Sequence, residues 1–388
     1  MLKYFIRKSI KASDGRDAEM TNFYTSPRLA DMVQPCWLVI TCLACCLLSG
    51  VRQAHGTEPE NVTVLIYHKF GEEQYPTTNV SLERFAGQMA YLQENDYQVL
   101  PLARMVKLLH SGKPLPDKAV VITIDDGYES VYTGAWPILR KHGYPFTVFL
   151  YTKAVEHDYH NFLTWKQVRE MRQAGVDFED HSFSHFRLGT RPGGLDDKGY
   201  AAWIRADLEK SRAVLDRRLG ATPRFLALPY GEYNSVIEEQ CKQLGYEAVF
   251  SQDPGSVSRD TGYIIPREPV LGLDWSTMAH FIMVLRRVDL PLVDIEPGID
   301  PFVNTKPARF CASLLYPQRY QPGSFSMYVS ELGWQRPDID GNRLCITNDL
   351  ELKRRSNRVA VSAREKGSGR SAVRFWLLIN PDSPVPKD

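Results

Sequence analysis

Two adjacent carboxylates follow an apolar run in the first half of the sequence. Residues Ala119–Ile124 have the continuous apolar character of a strand buried on both faces, and Asp125 and Asp126 come directly after it. Two like charges side by side are costly unless a positive group lies nearby. The pair therefore indicates a site for a cation or for acid–base chemistry, and a surface Asp-Asp-Gly turn is the structural alternative.

Two histidines, His181 and His185, follow another strand-like run, Val176–Phe178. Imidazoles four residues apart can face one metal ion, either from one helical turn or from a tight loop, although this spacing alone is a weak signal. With Asp126 the donors would be two imidazole nitrogens and one carboxylate oxygen. That is the ligand set of an open catalytic metal site with room for water.

A rigid turn, Pro229-Tyr230-Gly231, follows a third predicted strand, Phe225–Leu228. It could form the wall of a pocket, and an ordinary proline–glycine turn is the alternative. Each of the three clusters comes directly after a predicted strand. In a (β/α) barrel, the C-terminal ends of the strands form the active-site face.

The elements that must position these residues alternate between strand-like runs and amphipathic helices. The helices, Leu82–Glu94 and Tyr200–Leu219, each carry one apolar face. Alternation over about 200 residues predicts an α/β fold, most simply a distorted or incomplete (β/α) barrel. The predicted strands are Val62–Tyr67, Ala119–Ile124, Phe146–Tyr151, Val176–Phe178, Phe225–Leu228, Ala248–Ser251 and Tyr263–Ile265.

The sequence changes character after about residue 289, where prolines and turn residues separate short alternating stretches. This texture predicts a small β-rich accessory domain. We expect a leader over residues 1–56, a catalytic domain over 57–289 and the accessory domain over 290–388. Cys311 and Cys345 are the expected disulfide pair because both lie in this last part. The accessory domain could bind sugar, dock to a secretion partner or pack on the barrel.

The composition excludes several classes of protein. The chain has 388 residues, 43% of them hydrophobic, with 47 basic and 46 acidic side chains. This balance argues against a disordered chain and against nucleic-acid binding, which requires an excess of positive charge. Only one segment is apolar enough to consider for a membrane, which excludes a polytopic membrane protein.

That apolar segment is Trp37–Leu48. It is shorter than the roughly 20 residues of a spanning helix but suits a signal peptide, whose apolar region has about 7–15 residues. Ala54-His55-Gly56 offers small residues at a cleavage-like position. The sequence predicts export with cleavage, and a retained membrane anchor is the alternative. Either way we expect the protein in the periplasm or cell envelope.

Taken in order, the three motifs resemble those of the polysaccharide deacetylase family, the NodB-homology domains of carbohydrate esterase family 4. The family's Thr-x-Asp-Asp motif matches Thr123–Asp126, and its His-Ser/Thr-x-x-His motif matches His181–His185. Its third motif, which ends in Pro-Tyr-Gly, matches Pro229–Gly231, and Leu65–His68 looks like the start of many members. The resemblance covers roughly residues 62 to 267.

The resemblance implies a metal-dependent hydrolase in which Asp125 is the general base and Asp126, His181 and His185 hold the metal. The ion, most readily Zn²⁺ with Co²⁺ or Ni²⁺ as alternatives, would lower the pKa of a water molecule and polarise the amide carbonyl. Asp125 would take the proton of that water. The residues expected to line the sugar pocket are Pro229, Tyr230 and Gly231, with Tyr128 and Trp165 as further candidates.

The sequence departs from the family pattern at two places. Ala227 stands where members have an arginine that tethers the base, and the late Leu-x-His motif has no clear counterpart. Arg267 could replace the tether or form an ordinary salt bridge. His68 is the preferred general acid, as in the branch that includes exported poly-N-acetylglucosamine deacetylases, and His280 is the alternative. Asp180 is expected either to orient a histidine through its other nitrogen or to be a solvated turn carboxylate.

The expected function is removal of N-acetyl groups, less readily O-acetyl groups, from an extracytoplasmic polysaccharide such as a poly-N-acetylglucosamine-type glycan. One alternative is a catalytically impaired carbohydrate-binding protein on the same fold, as the departures from the pattern suggest; the intact ligand set argues against it. Another is an amidase acting on peptides or cyclic amides. The expected partners are the polysaccharide, a membrane through the N-terminal segment, and polysaccharide secretion machinery.

Overall fold

The computed structural model of the chain describes residues 61–301, 306–347, 349 and 351–383. The leader predicted over residues 1–56, with its apolar segment and cleavage-like site, lies outside these residues. Within the described ranges, no helix is long and apolar enough to cross a membrane.

The first part of the protein is built on a sheet of nine strands, all paired in parallel. A separate pair, the second and third strands of the chain, lies beside it. In chain order the strands are β1 (Val62–Tyr67), β2 (Lys69–Phe70), β3 (Asn79–Val80), β4 (Gln98–Val99), β5 (Ala119–Ile124), β6 (Thr147–Leu150), β7 (Asp177–Asp180), β8 (Phe225–Ala227), β9 (Ala248–Phe250), β10 (Ile264–Ile265) and β11 (Glu268–Pro269).

The order of the strands makes the sheet an incomplete barrel. It runs β10-β9-β8-β7-β6-β5-β1-β11, and β4 pairs with the first residues of β5. The described strands β10 and β11 are thus the two edges of the sheet. The predicted fold class, a distorted or incomplete (β/α) barrel, is confirmed. Since the strands are parallel, their C-terminal ends all lie on the same side of the sheet, at one end of the incomplete barrel.

Helices connect most of these strands and cover the sheet. The first helix begins after Ser81, whose hydroxyl oxygen accepts a hydrogen bond from the backbone N–H of Arg84, and it buries Phe85, Met89 and Leu92 as its apolar spacing predicts. The helices are α1 (Leu82–Glu94), α2 (Leu102–Ser111), α3 (Trp136–His142), α4 (Thr152–Glu156), α5 (Trp165–Gln173), α6 (Asp197–Leu219), α7 (Ser235–Gln243) and α8 (Met278–Leu285).

The predicted strand bounds match the structure best in the two longest strands of the sheet. Every residue of β1 and β5 is buried, and both strands begin and end at the predicted residues. The shorter strands β8 and β9 end one residue before the predicted bound. The turn that follows β8 carries Pro229, Tyr230 and Gly231 of the candidate site.

The C-terminal part consists of two antiparallel sheets of four strands each, ordered β12-β13-β17-β16 and β15-β14-β18-β19. Their facing sides share one apolar core. The β-rich character predicted for this region is therefore confirmed, whereas the exact domain boundaries stay a prediction. The strands are β12 (Leu292–Glu296), β13 (Arg309–Leu314), β14 (Ser326–Val329), β15 (Gly333–Gln335), β16 (Asp338–Asp340), β17 (Arg343–Thr347), β18 (Ser356–Arg364) and β19 (Ser371–Ile379).

A disulfide bond links β13 to β17. Cys311 and Cys345 lie directly opposite each other in the register of the two strands, with their Cα atoms 4.2 Å apart. The predicted cysteine pair is confirmed. The two cysteines are 34 residues apart along the chain, so the bond restricts the unfolded chain more than a local link would.

Candidate active site

Three side chains from two strand ends converge on one point. The Oδ1 atom of Asp126, just after β5, lies 3.2 Å from Nε2 of His181 and 3.1 Å from Nε2 of His185, both of which follow β7. The side chain of His181 is fully buried, and that of His185 is 20% exposed. The structure therefore brings together the three donors that the sequence predicted, within 4.8 Å of one another.

The chemistry of these donors fits a divalent metal ion. His181 donates its Nδ1 hydrogen to the carbonyl oxygen of Ala227 over 2.8 Å, so that the lone pair of Nε2 faces Asp126. Neither this Nε2 nor the Oδ1 atom of Asp126 has a well-aligned hydrogen-bond partner, although both are buried. Buried polar atoms without partners are rare and costly. A cation held between two imidazole nitrogens and a carboxylate oxygen would satisfy them.

Four residues in or beside the cluster of donors have a strained backbone. Asp126, Ser182, His185 and Tyr230 have φ angles of 72°, 64°, 53° and 59°, in the left-handed region that glycine favours. The two histidines thus sit in a tight loop and not on a helical turn. Such conformations cost on the order of 1–3 kcal/mol each and persist only where surrounding contacts enforce them.

Asp180 supplies some of those contacts. It is fully buried, and its Oδ1 atom accepts hydrogen bonds from the Ser182 backbone N–H (2.8 Å) and the Ser211 hydroxyl (2.6 Å). Its Oδ2 atom accepts one from the Tyr246 hydroxyl at 2.5 Å. Burial raises the pKa of Asp180 to about 6, against the effect of these hydrogen bonds. Both predictions for Asp180 are wrong: it is not solvated, and His181 uses the Ala227 carbonyl in its place.

Helix α6 holds the same loop from a second side. The carboxylate of Asp207 accepts hydrogen bonds at 3.1 Å from the backbone N–H groups of Phe183 and Ser184, between the two histidines. The sequence analysis did not identify this residue. A usable signal existed, because Asp207 and Ser211 lie four residues apart on the buried face of α6, where polar side chains need a partner.

Asp125 is separate from the cluster of Asp126, His181 and His185 and is tethered by an arginine. The guanidinium of Arg267 forms a bidentate ion pair with it, with N–O distances of 2.6 and 2.7 Å, and both side chains are fully buried. Burial alone would raise the pKa of Asp125, but the charge of Arg267, together with His181, holds that pKa below its ordinary value. Asp125 is therefore ionised at neutral pH. Arg267 thus contacts Asp125, as the sequence analysis considered when it offered this arginine as a replacement for the missing tether.

His68 follows β1 and lies close enough to Asp126 and Asp125 to feel their charges. It is only 8% exposed, and its Nδ1 atom is buried without a hydrogen-bond partner. Burial lowers the pKa of His68, while the nearby charges of Asp126 and Asp125 oppose that effect. His280, the alternative acid, is engaged elsewhere, because its Nε2 atom lies 2.9 Å from the carbonyl oxygen of Pro269.

The third motif lies beside the cluster of donors. The ring of Tyr230 packs 4.9 Å from the ring of His185, and Pro229 precedes it at the start of a short 3₁₀ turn. Gly231 has a φ of 66°, and a β-carbon there would lie 2.6 Å from the backbone nitrogen of Gln252. Only glycine fits this close approach.

Two further aromatic candidates differ in position. Tyr128 lies near Asp126 of the cluster. Burial and the carboxylate of Asp126 raise the pKa of the Tyr128 hydroxyl. The ammonium of Lys69, unremarked in the sequence, lies 3.1 Å from the centroid of the Tyr128 ring. Trp165 begins α5, and its indole N–H donates to Glu156 at 2.8 Å, an interaction that belongs to the helical layer.

The arrangement as a whole combines three donors that could hold a metal ion, a carboxylate that pairs with an arginine and is not one of those donors, and a buried histidine with a lowered pKa. On a (β/α) barrel this combination suits a hydrolase that activates water with a metal ion.

Comparison with known proteins agrees with this class. The family model described as polysaccharide deacetylase matches residues 112–249. A poly-beta-1,6-N-acetyl-D-glucosamine N-deacetylase of Staphylococcus aureus is 30% identical over 207 residues, which cover 52% of this chain and 71% of that protein. The putative polysaccharide deacetylase YxkH of Bacillus subtilis is 29% identical over 227 residues, or 58% of this chain and 77% of the relative.

Among solved structures, the Streptococcus pyogenes deacetylase PplD in complex with acetate has the same fold. It aligns with a TM-score of 0.52 and 23% identity, over 59% of this chain and 99% of that protein. The chain belongs to the polysaccharide deacetylase family. It is a hydrolase of that family, and the likenesses cover little more than half of its length.

Proposed function

We propose that this protein removes N-acetyl groups from a poly-N-acetylglucosamine-type polysaccharide outside the cytoplasm. The observation that carries the proposal is the ion pair between Asp125 and Arg267 beside the convergent donors of Asp126, His181 and His185. A barrel that had lost catalysis would have no need to keep a buried, ionised carboxylate next to a metal-binding cluster. The name of the Staphylococcus aureus relative supports this choice of glycan and of N-deacetylation.

We assign metal binding to Asp126, His181 and His185, with Zn²⁺ as the ion because two imidazoles and one carboxylate suit it; Co²⁺ and Ni²⁺ accept the same donors. When bound, the ion would supply Lewis acidity to a water molecule and to the acetamide carbonyl. Asp125 then serves as the general base, because its depressed pKa leaves the carboxylate deprotonated at neutral pH and it is not one of the three convergent donors. Arg267 holds the carboxylate in one orientation while it does so.

The leaving amine requires a proton, which we assign to His68. Its buried Nδ1 atom has no hydrogen-bond partner, and the nearby charges of Asp126 and Asp125 favour the protonated imidazole against the effect of burial, so this ring can carry a proton to the amine. The ring of Tyr230, with Pro229 and Gly231 shaping its turn, would face the sugar.

The compartment and partners of the protein follow from its N-terminal sequence. The apolar segment Trp37–Leu48 favours export to the periplasm or cell envelope, by a cleaved signal or through a membrane anchor. The substrate glycan is then also extracytoplasmic, and polysaccharide secretion machinery would be a neighbour of the enzyme.

The direct test is release of acetate from oligomers of β-1,6-linked N-acetylglucosamine. We expect release with Zn²⁺ or Co²⁺, loss after chelation, and recovery when the ion is restored, with acetate and free amines formed in equal amounts. An O-acetylated oligomer without N-acetyl groups serves as the control and should release far less acetate. Oligomer binding without acetate release in the presence of Zn²⁺, Co²⁺ or Ni²⁺ would favour the carbohydrate-binding alternative. Hydrolysis of cyclic amides in place of glycan would favour an amidase.

Replacement of His68 by alanine tests the assignment of the general acid. We expect turnover to fall by about 10²-fold or more, because protonation of the amine becomes difficult, while metal content stays at the wild-type level. His280→Ala is the matched control, since its imidazole bonds a backbone carbonyl away from the cluster. If His280→Ala loses turnover and His68→Ala does not, the acid has been assigned to the wrong histidine.

A further inference from the structure

Two arginines of the C-terminal β-rich part contact the loops of the active site. Arg355, just before β18, forms an ion pair with Glu232, which follows the Pro229-Tyr230-Gly231 turn directly. Both side chains are only 4% exposed. Arg358, three residues further along, donates at 2.8 Å to the buried carboxylate of Asp253. Arg355 and Glu232 are 123 residues apart in the sequence, and Arg358 and Asp253 are 105 residues apart.

The first contact leads to a proposed metal ligand by a short series of interactions. The Oε1 atom of Glu232 that accepts from Arg355 also accepts from Nη1 of Arg187 at 2.9 Å. The guanidinium of Arg187 lies 3.7 Å above the centroid of the Tyr230 ring, and that ring packs against His185. Glu232 therefore orders Arg187 and, through it, the aromatic wall of the site.

The second contact supports the tether of the proposed base. Asp253 also accepts a hydrogen bond from the Tyr233 hydroxyl at 2.7 Å, and its backbone carbonyl accepts from the backbone N–H of Arg267 at 3.0 Å. Arg267 in turn holds Asp125. Arg358 thus neutralises a buried carboxylate on the segment that positions Arg267.

Apolar packing joins the same parts. Leu377 and Ile379 of β19 are fully buried in a cluster with residues of the barrel, including Leu188 and Leu228 near the second and third motifs. A β-carbon at Gly189 would lie 2.6 Å from Cδ1 of Ile379 and 2.9 Å from Oε2 of Glu232, so the loop after His185 runs directly along this contact. The β-rich part and the barrel loops pack as one unit.

From these contacts we infer that the C-terminal β-rich part positions the active site. Arg355 is the positioning residue, and it holds the Tyr230 turn through Glu232 and Arg187. This inference deepens the proposed deacetylase function and assigns the β-rich part a task within the catalytic unit. Arg355 itself touches neither the metal donors nor Asp125. Its effect on the reaction is transmitted by the position of Tyr230.

The test uses the full-length protein with Arg355→Met and, as the matched control, Arg354→Met, which removes an exposed arginine one residue earlier. We expect Arg355→Met to lower kcat about tenfold or more at unchanged metal content, because small misplacements of groups at a site have effects of this size. Arg355→Lys should recover part of that loss. Arg354→Met should match the wild type.

A second variant separates positioning from stability. Arg355→Met combined with Glu232→Met removes both charges of the buried pair, which commonly restores stability. We expect the melting temperature of the double variant to recover, while kcat stays low because Arg187 has lost its carboxylate. Recovery of both quantities would show that the ion pair only stabilises the fold, and it would overturn the inference.

Hydrogen–deuterium exchange gives a result that does not depend on turnover. Amides of residues 228–235 should exchange faster in Arg355→Met than in Arg354→Met, whether or not the wild type releases acetate. Unchanged exchange of these amides would refute the positioning role of Arg355 even in an active deacetylase. Faster exchange in a protein without deacetylase activity would support the positioning role of Arg355 and reject the proposed function.

Discussion

Replacement of Asp125 by asparagine should lower kcat/KM by about 10²–10⁴-fold, the usual contribution of a general base, while the protein keeps its full complement of metal. The reason is geometric as well as chemical. Asp125 is paired with Arg267 and does not belong to the convergent donors, so its loss should leave the ion in place. Acetate release at saturating and limiting substrate, together with metal analysis of the purified variant, provides the measurement.

The control for this experiment is Asp117→Asn, which changes an exposed carboxylate in the loop before β5 and should retain wild-type activity. Because asparagine leaves the buried guanidinium of Arg267 without its anionic partner, the melting temperature should also fall. Asp125→Asn combined with Arg267→Met removes both charges and distinguishes instability from loss of the base. Turnover close to that of the wild type in the folded Asp125→Asn protein would refute the role of Asp125.

Replacement of Asp126 by alanine should abolish stoichiometric metal binding. Only two imidazole donors would remain, and loss of a direct ligand should exceed the roughly 10–100-fold cost of losing an outer-shell partner. His185→Ala should behave alike, since it also leaves two of the three donors. Equilibrium dialysis against Zn²⁺, followed by elemental analysis, measures the change.

The matched control for the histidine is His160→Ala, which removes an exposed imidazole outside the cluster and should bind the ion as the wild type does. Circular dichroism of each variant without metal checks that the fold is retained. Wild-type affinity in Asp126→Ala and His185→Ala, with normal folding, would show that the three donors do not form the metal centre.

The sequence was sufficient where local pattern and chemistry coincide. The apolar run Ala119–Ile124 is buried on both faces, so its bounds were predicted to the residue, and the carboxylates that follow had to lie at the C-terminal edge of the sheet. His181 and His185 were also predicted to follow a strand, but β7 ends at Asp180, two residues beyond the predicted Phe178, because buried Glu179 and Asp180 continue it without an apolar pattern. Cys311 and Cys345 were predicted as partners because both lie in the C-terminal region.

Contacts between distant segments could only be named as alternatives or were missed. Arg267 lies 142 residues from Asp125, and no local pattern distinguishes a tether from another salt bridge at that distance. The ion pair of Arg355 with Glu232 has no signal in the sequence, since each residue alone is typical of a solvated surface. Asp180 was misassigned because its partners, Ser211 and Tyr246, come from elements whose packing the sequence does not specify.

The left-handed backbone at His185 and Tyr230 has a consequence for efforts to engineer the protein. Both are bulky residues in a conformation that glycine adopts freely, so glycine at either position would relieve an unfavourable geometry. It would also delete an imidazole or an aromatic wall that the site employs. Thermal stability and catalytic activity are therefore opposed at these two positions. Selection of variants for melting temperature alone would favour well-folded but inactive sequences.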